Sequence, residues 1–207
     1  MTEQALVHVV DDDAGVRESL AFLLQSAGLA VRTYDSAAAF LAAAAEWPAG
    51  CVLTDIVMPG MDGLALQRQI GALNSNLAVV VMTGHADVPI AVEALKAGAR
   101  DFLEKPFDED RLLAVVQEAL STSQRAREAQ AAGAEIAARL ATLTPREREV
   151  LDRLVAGQPN KTIAYDLGTS PRTVEVQRAR VMEKMNARSV AELVRMVLTI
   201  GGSGKPP

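Results

Sequence analysis

Five polar side chains stand where apolar, strand-like runs of the sequence end. Asp11 and Asp12 follow the first run, Asp55 the third, Thr83 ends the fourth, and Lys105 follows the fifth. Carboxylates gathered in one place repel each other unless a cation joins them. Oxygen ligands suit Mg²⁺, which binds through one or two carboxylates together with water and phosphate. A carboxylate nucleophile, a divalent ion, a hydroxyl and an ammonium group predict a phosphoryl-transfer site with Asp55 as the nucleophile.

The elements that position these groups are short β-branched runs alternating with helical patterns. The predicted strands are Leu6–Val10, Ala30–Tyr34, Cys51–Thr54, Ala78–Met82 and Asp101–Leu103. Strands that alternate with helices indicate a parallel sheet covered on both faces. Five such units predict an α/β fold with a doubly wound, five-stranded parallel sheet of flavodoxin-like order, which binds ligands at the carboxyl ends of its strands. The five polar groups should therefore meet at one edge.

The charge is divided unevenly along the chain. Residues 1–121 carry 7 basic and 17 acidic side chains, whereas residues 140–207 carry 11 basic and 7 acidic ones. This asymmetry suggests an ion- or protein-binding module joined to one that binds a polyanion. Cys51 is the only cysteine, so no internal disulfide can form, and it is most simply a buried strand residue. Without a signal peptide or a long apolar span, we expect a cytoplasmic protein with no membrane partner.

Beyond residue 121 the sequence predicts helices only. An Ala-, Glu- and Arg-rich stretch over 125–140 predicts a helical linker that could continue the preceding helix. Thr144, Pro145 and Glu147 form a capping box that starts the next helix. Four capped helices in about sixty residues predict a compact all-α domain with a tight turn between its second and third helices. The predicted division is a domain over 1–121, a helical linker over 122–140 and a four-helix domain over 141–207.

The third helix of this domain is amphipathic. Val174, Val181 and Met185 share its apolar face, which should pack inward. The other side suits the major groove of DNA, where side chains contact bases and phosphates. The candidate contacts are Arg172, Thr173, Glu175, Val176, Gln177, Arg178, Arg180 and Lys184, with Lys161 on the preceding helix. From periodicity alone, a solvated charged face explains the same pattern.

Longer motifs in the first part resemble a known family. They are Asp11-Asp12, the segment TDIVMPGMDG around Asp55, Thr83-Gly84 and Lys105-Pro106-Phe107. Over residues 5–120 the chain resembles the CheY-like receiver domain of two-component response regulators. The resemblance implies that a sensor histidine kinase phosphorylates Asp55. It also implies that Mg²⁺ is bound by Asp12, Asp55 and the Val57 carbonyl, with Asp11 assisting.

The same resemblance makes Phe102 a switch aromatic that swings inward when Thr83 contacts the phosphoryl group, although simple core packing also explains Phe102. Gly84 leaves room for the phosphoryl group. Val57, two residues after Asp55, is apolar and cannot position an attacking water. We therefore hypothesise slow hydrolysis of the aspartyl phosphate. His85 could orient a water but is more simply a loop residue.

The second part resembles the LuxR-type helix-turn-helix. The segments that carry this resemblance are LTPREREVL over 143–151, NKTIA over 160–164 and SPRTVEV over 170–176. With RARVMEKM over 178–185 and MTGH with DVP within 82–89, the chain is similar to the FixJ subfamily of response regulators. This implies binding to double-stranded promoter DNA and contact with RNA polymerase. Gln177 stands where the family usually has histidine, which puts its sequence preference in doubt.

The resemblance also implies a homodimer that forms when the receiver is phosphorylated, through its fourth helix and fifth strand. The candidate residues for that face are Val92, Lys96, Arg100 and Asp101. Ordinary surface and packing roles explain the same four residues. Phosphorylation could raise DNA affinity by joining two DNA-binding domains or by releasing a masked DNA-binding surface.

Two other functions are compatible with parts of the sequence. One is a phosphohydrolase with Asp55 as nucleophile, but such dehalogenase-like enzymes have a second aspartate two residues later, where this chain has Val57. The other is a phosphorelay module that never binds DNA, which leaves the basic second part unexplained. We therefore expect a phosphoacceptor transcription factor rather than an enzyme, with self-phosphorylation as its only chemistry.

Overall fold

The computed structural model describes residues 6–43, 47, 50–73, 76–84, 92, 94, 96 and 98–202. Their contacts divide the chain into two units, residues 1–128 and 129–207. His85 and the DVP segment over 87–89, which carries part of the resemblance to the FixJ subfamily, lie outside the described residues. Over the described ranges, every helix is too short or too polar to cross a membrane.

The first unit is built on a parallel sheet of five strands in the order β2-β1-β3-β4-β5. Their bounds are β1 Leu6–Val10, β2 Ala30–Tyr34, β3 Gly50–Asp55, β4 Ala78–Thr83 and β5 Asp101–Glu104. The predicted doubly wound α/β fold is confirmed. All residues of β1, β3 and β4 are buried, which explains why these strands read as continuous apolar runs.

Helices cover both faces of the sheet. They are α1 Ala14–Ser26, α2 Ala37–Ala42, α3 Gly63–Ala72 and α4 Glu109–Ala141. Leu20 of α1 and Leu112 of α4 belong to the core on one face, and Phe40 of α2 and Leu66 of α3 to the core on the other. The helix predicted between β4 and β5 is described only in part, with Val92, Ala94 and Lys96 in helical conformation.

α4 is longer than the helices before it because the predicted linker continues it without a break. Ser123 is the last buried residue of α4 in the first unit. Its hydroxyl donates to the Asn76 carbonyl and accepts from the Gly50 amide. In the second unit Ile136 and Leu140 pack against the apolar core. Residues 124–132 are all exposed.

The second unit contains four helices among the residues described after α4. These are α5 Pro145–Val155, α6 Asn160–Asp166, α7 Pro171–Met185 and α8 Val190–Gly202. The predicted capping box at Thr144 is present, and Gly157 and Gly168 adopt the positive φ of helix-ending turns. Leu151, Ile163, Val181 and Leu193 bring one residue from each helix into a single core.

Candidate phosphoryl-transfer site and nucleic-acid interface

Strand register brings the predicted acidic residues to one edge of the sheet. Val10 of β1 lies beside Thr54 of β3, so Asp11 and Asp55 are neighbours one step beyond that pair. In the same way, Thr83 at the end of β4 pairs with Glu104 at the end of β5, and the Lys105 amide donates to the Thr83 carbonyl at 2.7 Å. The carboxyl ends of parallel strands meet at one edge, as doubly wound sheets require.

Lys105 joins the two aspartates. Its Nζ lies 2.8 Å from Oδ2 of Asp11 and 2.7 Å from Oδ1 of Asp55. The Lys105 side chain is 24% exposed, whereas those of Asp11 and Asp55 are 2% and 12% exposed. Burial lowers the pKa of Lys105, but hydrogen bonds and charge attraction from the two carboxylates outweigh that effect and raise it. The ammonium therefore stays charged near neutral pH.

Backbone amides hold the other carboxylate oxygens. Oδ2 of Asp55 accepts from the Val57 amide at 2.8 Å, and Oδ1 of Asp11 accepts from the Asp13 amide at 2.9 Å. Arg17 extends from α1 and donates to the Asp11 carbonyl at 2.7 Å. These contacts fix the orientation of both carboxylates relative to the sheet.

Gly63 lets the loop after β3 pack directly under Asp55. A Cβ at this position would lie 2.2 Å from the Asp55 carbonyl oxygen, which no side chain can tolerate. Asp62 caps α3 by accepting from the Ala65 amide, so the helix starts at this close approach. The sequence analysis did not single out Gly63, although a glycine directly after a capping aspartate was the available signal.

The remaining predicted residues of this site have varied surroundings. Thr83 is buried at 3% exposure, and Phe102 packs, partly buried, against the α2–α3 side of the sheet. Asp12 is exposed, and the Val57 side chain is 76% exposed. Across the described ranges, no three His, Cys, Asp or Glu side chains form a ready metal cluster. The structure therefore brings together Asp11, Asp55 and Lys105, with Asp12 at the margin.

The residues predicted for a dimer face are accessible, and two have partners in the same chain. Val92 is 42% exposed and Lys96 is exposed. Arg100 lies 2.6 Å from Glu118, and Asp101 lies 3.1 Å from Arg111. Both are surface ion pairs, which are weak enough to be exchanged for others.

The predicted DNA-reading side of α7 is exposed. Val174, Val181 and Met185 are buried, as predicted. The outward group comprises Arg172, Thr173, Glu175, Val176 and Arg180, all exposed, and Lys161 on α6 is exposed as well. Arg178 is half-buried, and Gln177 is half-buried with an Oε1 that lacks a hydrogen-bond partner among the described residues.

Lys184, which the sequence predicts as a phosphate contact, has hydrogen-bond partners within its own unit. Its Nζ lies 2.6 Å from Oε2 of the buried Glu147 and 3.1 Å from the Thr142 carbonyl. The ammonium is therefore bonded inside the helical unit instead of being available on the outward face. Hydrogen bonds from Lys184 and from the Thr144 amide lower the pKa of Glu147 to about 2. The sequence predicts Glu147 only as a capping residue, and its ion pair with Lys184 was not predicted.

The fold and the two sites define a receiver domain joined to a helix-turn-helix domain. Residues 7–117 match the response regulator receiver domain, and residues 141–197 match the bacterial regulatory proteins of the luxR family. The chain belongs to the response regulator family and is a FixJ-like transcriptional regulator.

Proteins similar to this chain align with it over nearly its full length. The transcriptional regulatory protein FixJ of Azorhizobium caulinodans is 56% identical over 97% of this chain and 95% of its own. The response regulator StyR is 41% identical over 95% of this chain and 99% of its own, with a TM-score of 0.82. Full-length FixJ from B. japonicum is 49% identical over 97% and 99%, with a TM-score of 0.59.

Proposed function

We propose that a sensor histidine kinase phosphorylates Asp55 and that this event controls binding of α7 to promoter DNA. The observation that carries the proposal is the Lys105 ammonium, shared between Asp11 and Asp55 at the carboxyl edge of the sheet. This arrangement gives a carboxylate nucleophile a neighbouring cation that can neutralise the oxygens of a transferring phosphoryl group.

The transfer requires a phosphohistidine donor and one proton from water. An Asp55 carboxylate oxygen attacks phosphorus, the phosphorus–nitrogen bond of a phosphohistidine breaks, and the imidazole nitrogen keeps the electron pair and takes up a proton. The Val57 amide holds Oδ2 of Asp55 in place, which fixes the direction in which the carboxylate faces the donor. Lys105 then exchanges part of its contact with Asp55 for the new phosphoryl oxygens.

The donor set fits a Mg²⁺ ion. Two buried carboxylates share one ammonium, which leaves an excess negative charge that a cation would neutralise. Mg²⁺ requires only one or two carboxylates when water and phosphate complete its shell, so a preformed cluster of three side chains is unnecessary. Asp12, Asp55 and the Val57 carbonyl would hold the ion, with Asp11 assisting. When bound, Mg²⁺ supplies charge neutralisation at the phosphoryl oxygens.

Two residues connect the site to the surface of the receiver. Thr83 is buried at the end of β4, where its hydroxyl would donate to the phosphoryl group. Phe102, on the adjacent strand, is only partly buried and would move inward to fill the space that Thr83 vacates. The face that includes Val92, Lys96, Arg100 and Asp101 would change with it and form a homodimer.

In the second unit, α7 would read the major groove with its exposed side. Arg172, Thr173, Glu175, Val176 and Arg180 are exposed there, with Arg178 and Gln177 at its edges. Lys161 on α6 would contact a phosphate. A dimer places two such helices on an inverted repeat, and bound regulators would contact RNA polymerase in the cytoplasm. The proposed division of the chain is a receiver domain over 1–121, a helical linker over 122–140 and a DNA-binding domain over 141–207.

A DNA-binding experiment tests this proposal. Duplexes are selected from a random pool with the full-length chain, acetyl phosphate and Mg²⁺, and their binding is then measured with and without phosphodonor. We expect tighter binding with the phosphodonor, and no such gain for Asp55→Asn. Equal affinity of the wild-type chain and of Asp55→Asn, each with and without phosphodonor, would contradict the proposal. Asp62→Asn is the matched control, because Asp62 caps α3 and lies outside the ion-pair network.

A further inference from the structure

The first turn of α5 contacts the chain just before the proposed DNA-reading helix α7 and again in the last turn of α7. Arg146 and Glu147 are consecutive residues of this turn. Arg146 Nη2 donates to the carbonyl of Leu167 at 2.5 Å, and Leu167 is the C-cap residue directly after α6. Glu147 accepts from Lys184, which belongs to the last turn of α7. One turn of helix thus holds the chain at Leu167, three residues before the Ser170 cap of α7, and again near the end of α7.

Each contact is placed where its chemistry favours it. The Leu167 carbonyl is at a helix end, where carbonyls lack partners within the helix and cations are favoured. Glu147 is 3% exposed, so its carboxylate needs the Lys184 ammonium and the Thr144 amide as partners. A second cation supports the far end, because Arg139 of α4 donates to the Met185 carbonyl at 3.1 Å.

Apolar packing determines which face of α7 points inward, and hydrogen bonds add a directional constraint on its orientation. Val174, Val181 and Met185 attach α7 to the core, but the attraction between apolar surfaces has no preferred direction. Hydrogen bonds are directional, and those of Arg146 and Glu147 constrain the two ends of α7 separately. Base-edge contacts in the major groove depend on the angle at which the helix presents its side chains.

We infer that Arg146, Glu147 and Lys184 are positioning residues that set the orientation of α7 on DNA, and that Lys184 is not a phosphate contact. This inference rests on the proposed function, because it requires that α7 reads DNA. It reassigns Lys184 from the outer surface of the helix-turn-helix to its internal framework. It also gives the consecutive residues Arg146 and Glu147, at the start of α5, a role in distinguishing between DNA sequences.

The salt dependence of DNA binding separates positioning from phosphate contact. A lysine that neutralises a phosphate contributes about 1 to the slope of log affinity against log salt concentration, for any DNA sequence. A positioning residue leaves that slope unchanged and affects only binding to the selected sequence. The full-length phosphorylated chain is therefore titrated with a selected duplex and with a scrambled duplex of the same length, at several salt concentrations.

The variants are Lys184→Met and Arg146→Met, with Lys184→Arg and Glu147→Gln as conservative replacements. We expect Lys184→Met and Arg146→Met to weaken binding to the selected duplex at least about tenfold, which corresponds to about 1.4 kcal/mol. Binding to the scrambled duplex and the salt slope should stay at the wild-type values. Lys184→Arg keeps a donor, and Glu147→Gln keeps an acceptor. Both variants should therefore retain most of the preference for the selected duplex over the scrambled one.

Two controls fix the scale. Lys161→Met should lower the salt slope by about 1 for both duplexes, as a true phosphate contact does. Arg148→Met removes only a surface pair with Asp152 and should change neither duplex's binding.

The inference is overturned if Lys184→Met lowers the slope and weakens both duplexes equally, or if discrimination survives in Lys184→Met and Arg146→Met. Should the methionine variants lose their helical circular dichroism, Lys184→Arg and Glu147→Gln decide alone: wild-type discrimination supports the inference, and its loss in a folded variant overturns it. A wild-type chain that does not distinguish the two duplexes would instead contradict the proposed function.

Discussion

Replacing Lys105 with methionine tests whether its two ion pairs hold the acidic edge together. An exposed ion pair contributes about 0–1 kcal/mol, whereas breaking a buried one costs about 3–5 kcal/mol. Lys105 is 24% exposed and faces carboxylates that are 2% and 12% exposed, so it lies between these limits and closer to the buried one. We expect Lys105→Met to lower the free energy of unfolding of the first unit by about 2–3 kcal/mol at pH 7.

The assay is urea unfolding followed by the fluorescence of Trp47. This residue is the only tryptophan and stacks on Phe40 at 4.3 Å, so its signal reports on the first unit. The same change in stability should lower the melting temperature by about 10 °C. Arg100→Met is the matched control, since it removes a surface pair with Glu118 and should cost about 0–1 kcal/mol.

The difference in unfolding free energy between the wild type and Lys105→Met should decrease at high pH. Because the pKa of Lys105 is raised above its usual 10.5 in the folded state, its stabilising effect is fully present below that pH. It is lost as the pH rises through the folded-state pKa, so the gap between wild type and Lys105→Met should narrow above about pH 10.5. A Lys105→Met chain with the unfolding midpoint of Arg100→Met would refute the reasoning.

Further perturbations test separate parts of the account. Gly63→Ala should destabilise the first unit and slow phosphorylation of Asp55, because the new Cβ would collide with a backbone oxygen. Gly84→Ala, whose Cβ would have no atom of the described residues within 4 Å, should keep wild-type stability, and equal stability of the two variants would contradict this. Val57→Asn, at an exposed position, should shorten the lifetime of the phosphoryl label, and an unchanged lifetime would reject the hypothesis of an unassisted, slow hydrolysis. Glu147→Gln should reduce the loss of stability of the second unit between pH 4.5 and pH 2. The pKa of Glu147 is lowered from 4.5 to about 2, so its stabilising effect is present above pH 4.5 and is lost as the pH falls toward 2. If stability falls as steeply in Glu147→Gln as in the wild type over this range, Glu147 contributes nothing to it.

The three central strands β1, β3 and β4 were predictable because they combine β-branched residues with burial on both faces. β1 and β2 begin and end where the sequence places them, and β3, β4 and β5 extend past their predicted bounds by one or two residues. Once the order of a parallel sheet is known, its carboxyl edge follows, so Asp11, Asp55 and Lys105 could be expected to converge. Their distances could not be predicted, because they depend on the loop geometry after each strand.

The helical unit shows where sequence periodicity stops being informative. Val174, Val181 and Met185 were correctly placed on the buried face of α7, because their spacing follows one side of a helix. Lys184 lies at the border of that face, where the period permits either direction. Only the tertiary structure shows that Glu147, separated by 37 positions in the chain, comes within hydrogen-bond distance and determines which direction Lys184 takes.

Mass spectrometry of the intact chain can show directly whether Asp55 accepts a phosphoryl group. Purified protein is incubated with acetyl phosphate and Mg²⁺, and the modified residue is located by trapping the acyl phosphate before proteolysis. We expect one added phosphoryl group on Asp55, its absence in Asp55→Asn, and its absence in the wild-type chain when EDTA removes the metal. Modification at another residue, or an unmodified Asp55 in the presence of both reagents, would contradict it.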